Sequence, residues 1–144
     1  MAITTNAICN SFKKELLEGT HNFKASGGNS FKLSLYTSDA TLGKSTTSFT
    51  SDNQVSDTGQ YASGGSALTN GGTSLSSDTA LVDYADLSFT GVTLTARGAL
   101  IYNDTQGDKA VCVLNFGGDK TATNGTFTVQ FPAFSSSAAI IRIA

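Results

Sequence analysis

The sequence predicts an all-β fold: an antiparallel β-sandwich or barrel of about eight short strands, preceded by one N-terminal helix. Three observations carry the prediction. Apolar residues recur with period two along most of the chain after Gly19. The apolar runs are short and are separated by turn residues at intervals of about 8–12 positions. No strand–helix–strand rhythm, which would build a parallel sheet, is present.

The helix comes first. Thr5 or Asn6 is placed to cap it, and Ile8, Phe12 and Leu16 fall four apart on one face. Lys13, Lys14, Glu15 and Glu18 cover the remainder, and Gly19 is the expected stop because glycine accepts the left-handed conformation. A helix this short is marginal alone in water, so it must dock on its own sheet or on a neighbouring subunit. The expected organisation is an arm and helix over 1–24 and one β domain over 25–144.

Phe31, Leu33 and Leu35 alternate with Lys32, Ser34 and Tyr36, the pattern of a half-buried strand. Residues 38–80 are rich in Ser, Thr, Gly and Asp; short strands are expected at 48–55 and 65–69, with Asn70-Gly71-Gly72 as a turn. Further strands are expected at 81–84 and at 87–94, where Gly91 shifts the alternation as a β-bulge does. Strands at 99–103 and 110–116 are joined by a hairpin loop at 104–108. Asn124-Gly125 is the strongest short turn signal; Phe127, Val129 and Phe131 follow it in alternation until Pro132, and a last strand covers 139–143.

The 144 residues amount to one domain, large enough to bury a core without staples. Charged residues are 14% of the chain against about a quarter in an ordinary domain, so the expected surface is neutral and hydroxyl-rich. A net charge of −2 with scattered Lys and Arg argues against nucleic acid as a partner. No apolar run approaches membrane-spanning length, and the first residues lack the basic and apolar regions of a signal peptide. The expectation is therefore no membrane partner and folding in a host cytoplasm. Cys112 lies in an apolar strand pattern and reads as a small core residue, as against one half of a bridge to Cys9.

The residues that run reactions are sparse. His21 is the one histidine; its neighbours Thr20 and Asn22 offer no partner, so it reads as a polar loop residue. Gly64-Gly65-Ser66-Ala67-Leu68 lacks the closing glycine of a nucleophile elbow. Gly117-Gly118-Asp119-Lys120-Thr121 has an aspartate before its lysine and no following helix, so it reads as a loop between strands. Asn103, Asp104 and Asp108, or Asp83 with Asp86, are the nearest approach to a calcium site and read as solvated loops. The expectation is no catalytic residue, no metal and no cofactor. With no tryptophan to stack on a sugar ring, the tyrosines are the candidate contact rings, and Tyr61, in the loop-rich region, is the leading one.

Several segments carry a resemblance. The opening Met1-Ala2-Ile3-Thr4, the run from Cys9-Asn10-Ser11-Phe12 to His21-Asn22-Phe23, and Phe31-Lys32-Leu33-Ser34-Leu35-Tyr36 followed by Ala40-Thr41-Leu42 are similar to small tailed-bacteriophage virion proteins. So are Thr95-Ala96-Arg97-Gly98 with Ala99-Leu100-Ile101-Tyr102-Asn103, and the ending from Ala139 to Ala144. The likeness covers nearly the whole chain, with 45–80 least distinctive, and brings no catalytic motif. It implies a structural virion protein, first of all of the capsid decoration or cement type. Such a protein binds the outside of the head, stabilises neighbouring capsid subunits and acts as a homo-oligomer, a trimer by preference. Its partners are then the major capsid protein or another virion protein. A tail, neck or fibre component is the alternative, and a small secreted enzyme or sugar-binding module is a third class.

Three contact regions follow from that expectation: the arm 2–12 with Ile3, Ile8 and Phe12, the loop region 46–73 with Phe49 and Tyr61, and the final strand 140–143 with Ile141 and Ile143. Each also has an ordinary folding role, as docked helix, solvated loop or closing strand.

Overall fold

The computed structural model describes residues 3–132, 135 and 139–144. Ala2, at the start of the expected contact arm, lies outside them. The chain is all-β with one short helix, arranged in two antiparallel sheets that do not close into a barrel. In chain order the elements are β1 (Ala7–Ile8), α1 (Asn10–Leu17), β2 (Phe31–Tyr36), β3 (Ser66–Ala67), β4 (Asn70–Ser76), β5 (Thr79–Tyr84), β6 (Leu87–Asn103), β7 (Lys109–Val129) and β8 (Ile141–Ile143). One sheet runs β1-β7-β6-β2-β3, the other β4-β5-β8.

The β6–β7 hairpin is the spine. Its register runs from Asn103↔Lys109 at the 104–108 turn to Leu87↔Val129 at the far end. Two expected strands, 87–94 and 99–103, are therefore one, as are 110–116 and the strand after Asn124-Gly125. The bulge at Gly91 is present: Gly91 has φ 64° and the register shifts between Phe89 and Val92. Asn124-Gly125 does not turn the chain. Asn124 takes φ 46° inside β7 and makes a second bulge opposite Val92, because the flanking pairs keep both strands running. Gly117-Gly118-Asp119 is likewise an outward excursion within β7, between the pairs Gly98↔Asn115 and Ala96↔Lys120, and not a loop between separate strands.

β2 is buried on both faces, against the half-buried expectation. Phe31, Leu33 and Leu35 face one layer, where Phe31 stacks on Phe23 at 4.6 Å and meets Tyr84 of β5 edge-on at 6.0 Å. Ser34 and Tyr36 face the other side, and the Tyr36 hydroxyl donates to the Thr50 carbonyl at 2.7 Å. Phe49 covers the same face, 4.8 Å from Tyr102. The loop after β2 thus folds back as a lid, which local periodicity does not reveal. Residues 48–55 form no strand; only the bridges Ser48↔Lys109 and Tyr36↔Gln54 remain. Asn70-Gly71-Gly72, expected as a turn, opens β4.

Helix α1 begins at Asn10 with Cys9 as its N-cap, so neither Thr5 nor Asn6 caps it and Ile8 lies in β1 instead. Gly19 ends it at φ 75°, as expected. Phe12 is buried and packs against Phe23 at 5.8 Å. The arm before it is tied down twice: the Asn115 backbone N–H donates to Asn6 Oδ1 at 2.6 Å, and Asn115 Nδ2 donates to the Thr4 carbonyl at 3.0 Å. Gly98 leaves room for Ile3, since a Cβ there would sit 2.7 Å from Ile3 Cδ1. Within this chain the helix docks on its own sheet.

Candidate functional site

The seven expected contact residues separate by burial. Ile3, Phe12, Tyr61 and Ile141 belong to the chain's own core, so their side chains present no surface to a partner. Ile8 and Phe49 are half-buried, and Ile143 is 55% exposed.

Tyr61 corrects the expectation of an exposed loop ring. It is 1% exposed, and its hydroxyl accepts from the Leu35 N–H at 2.8 Å and donates to Gln54 Oε1 at 3.0 Å. Its ring meets Phe89 at 5.1 Å. The residue therefore pins the loop region to the edge of β2 beside the Gln54 bridge. Burial pushes the Tyr61 phenol well above its ordinary range.

His21 is the second correction. It is not a solvated loop residue: its side chain is fully buried, 4.8 Å from the Phe12 ring. His21 Nε2 lies 3.0 Å from Glu15 Oε1, and Nδ1 lies 2.9 Å from Asn103 Nδ2. Asn103 donates its other amide hydrogen to Asn29 Oδ1 at 3.0 Å, and its Oδ1 accepts from the Thr105 and Gln106 backbone N–H groups. Asn29 Oδ1 also accepts from the Asn22 N–H at 2.9 Å. Both ring nitrogens are thus committed, and among the described residues no hydroxyl or thiol bonds to the imidazole. The arrangement orients a histidine without presenting it to a substrate, and it fastens α1 to the β6–β7 turn. Glu15 was within reach of sequence reasoning, six positions before His21; Asn103, 82 positions after it, was not.

The Asn103 side chain points inward to His21, so it does not join Asp104 and Asp108 as a cation ligand. Among the described residues no group of three or more His, Cys, Asp or Glu side chains is placed to hold a metal ion. Cys9 and Cys112 are free and buried; burial, with Glu15 nearby, pushes the Cys9 thiol up to about 11.

The outward face has two distinctive features. On the outer half of the hairpin, Ser88, Thr90, Thr93 and Thr95 lie beside Thr121, Thr123, Thr126 and Thr128, all exposed. The cross-strand hydroxyl pairs Ser88–Thr128 and Thr95–Thr121 are both 2.9 Å apart. On the smaller sheet, Leu75 of β4, Ala80 of β5 and Ile143 of β8 stand in one register row. Cross-strand partners point to the same face, so Leu75 at 76% exposure and Ile143 at 55% form the ends of one apolar stripe.

These features define a two-sheet β domain whose polar interior serves its own folding and whose surface offers hydroxyl ladders and one apolar row. No protein family, characterised protein or solved structure matches the chain significantly.

Proposed function

We propose that the chain is a structural protein of a tailed-phage virion, of the capsid decoration type, binding the outer head surface and stabilising neighbouring capsid subunits. The observation that carries this reading is the Leu75–Ala80–Ile143 row. Large apolar side chains set in register on a rigid sheet gain by being covered, and a symmetric assembly covers them with little loss of conformational entropy. The sequence resemblance points the same way. A low charge density is suited to many copies lying side by side without mutual repulsion. The committed nitrogens of His21 support a scaffold over an acid–base catalyst. The chain acts in the virion after assembly in the host cytoplasm, as a homo-oligomer on the major capsid protein.

Counting copies of the chain in purified virions by quantitative mass spectrometry, with localisation by electron cryomicroscopy, tests the reading. Hundreds of copies on the head are expected. Three, six or twelve copies at the neck or tail would replace decoration by the tail reading, and absence from virions would end both.

A further inference from the structure

A groove of about 880 Å³ runs between the N-terminal arm and the loop after β2, lined by residues 4–8, 13, 41–48 and 50. Its composition is one-sided. Lys13 and Lys44 line it, eight Ser and Thr residues surround them, and none of the lining residues is an Asp or Glu, although the whole chain carries 11 acidic residues against 9 basic ones. Lys14, Lys32 and Arg97 are paired with Glu18, Asp104 and Asp119, whereas neither Lys13 nor Lys44 has a carboxylate partner among the described residues.

Both walls are held in place. Asn115 ties the arm through Asn6 and Thr4. The opposite wall is tied by the Asn10 N–H to the Lys44 carbonyl at 2.8 Å, and its turn is closed by the Gly43 N–H to Thr46 Oγ1 at 3.0 Å. A groove built in advance spends little entropy on binding. One wall contains β1, an end strand of the larger sheet, and a strand beside a groove suits an extended chain.

We propose that this groove binds an extended acidic peptide segment of a partner protein. The two lysines neutralise its carboxylates, and the hydroxyls and carbonyls of the walls meet its backbone and polar side chains. The lining holds no Phe, Tyr or Trp, so the ring platform on which a sugar stacks is missing and a peptide is the favoured occupant over an acidic glycan. The proposal stands on the chemistry of the groove and does not require that the chain sit on a head.

The test is an NMR titration of the full ¹⁵N-labelled chain with a short poly-L-glutamate. A Ser/Asn peptide of equal length and polygalacturonate are titrated in parallel. Poly-L-glutamate is expected to shift amide signals confined to 4–8 and 41–50, with affinity falling as salt is raised. The Lys13→Glu/Lys44→Glu double variant is expected to bind about tenfold more weakly. Both lysines are exposed, so its spectrum away from the groove should be unchanged; Lys13→Gln/Lys44→Gln serves if it is not. Three outcomes overturn the proposal: no shifts in the groove, equal binding of the uncharged peptide, or tighter binding of polygalacturonate at the same residues. None of these alters the virion copy count, and absence from virions leaves the titration intact, so the two readings fail separately.

Discussion

Asn103 and His21, 82 positions apart, determine each other's hydrogen bonding. The Thr105 and Gln106 backbone N–H groups hold the Asn103 side-chain oxygen, so its nitrogen faces His21 Nδ1 at 2.9 Å. A donating amide makes Nδ1 the acceptor, and the ring hydrogen then lies on Nε2, donated to Glu15. Long-range ¹H–¹⁵N spectra of the folded protein should find Nε2 protonated and Nδ1 bare. The opposite tautomer would mean that the Asn103 amide is reversed.

The same geometry makes Asn103→Leu costly despite its similar size. It strands a buried ring nitrogen and removes the acceptor for the Thr105 N–H. A loss of about 2–3 kcal/mol is expected, measured by urea unfolding. A change below about 0.5 kcal/mol would show the cluster to be incidental to the docking of α1.

Alkali should unfold this protein early. Burial raises the phenols of Tyr36, Tyr61, Tyr84 and Tyr102 above their ordinary range, and it raises the Cys9 thiol to about 11. A thiol or phenol that ionises more readily unfolded than folded leaves the native state binding more protons at high pH. Stability is therefore complete below the unfolded thiol value of about 8.5, starts to fall above it, and falls steeply beyond the unfolded phenol value of about 10. Urea midpoints taken from pH 8 to pH 11 check this; a flat profile would contradict the burial of the tyrosines.

The thiols should be inert while the chain is folded. Cys9 is 0% and Cys112 is 3% exposed, and burial raises both thiols. Exchange needs an accessible thiolate. Ellman's reagent at pH 8 is expected to find no thiol in the native protein and both after addition of guanidinium. Rapid native labelling would place at least one cysteine at the surface.

The apolar row should matter for association and not for folding. Leu75→Ser and Ile143→Ser alter side chains that are largely in water, so each should change unfolding stability by less than about 0.5 kcal/mol. Light scattering after size exclusion is expected to find the wild type oligomeric and the double variant monomeric. An unchanged oligomer would place subunit contact elsewhere.

The fold class was legible because it depends on local pattern. The alternation of Phe31, Leu33 and Leu35 and of Phe127 and Val129, the stop at Gly19 and the bulge at Gly91 are all set by nearest neighbours along the chain, and the structure contains each of them. That two sheets would form was within this reading; which segments would pair was not.

What the amino-acid sequence determined by itself is an all-β chain with a short helix, few charges and one histidine. What only the tertiary structure decided is where those residues go. Tyr61 looked exposed in a polar loop, and the loop closes onto β2. Asn124-Gly125 looked like a turn, and continuous pairing on both sides turned it into a bulge. His21 looked solvated, and it lies between Glu15 and Asn103. The groove beside Lys13 and Lys44 exists only because the arm and a loop more than 30 positions further on converge on the same edge of β7. Periodicity reports which side of a strand is apolar; it carries no record of which distant segment covers that side, since that depends on pairings whose partners are far apart in sequence.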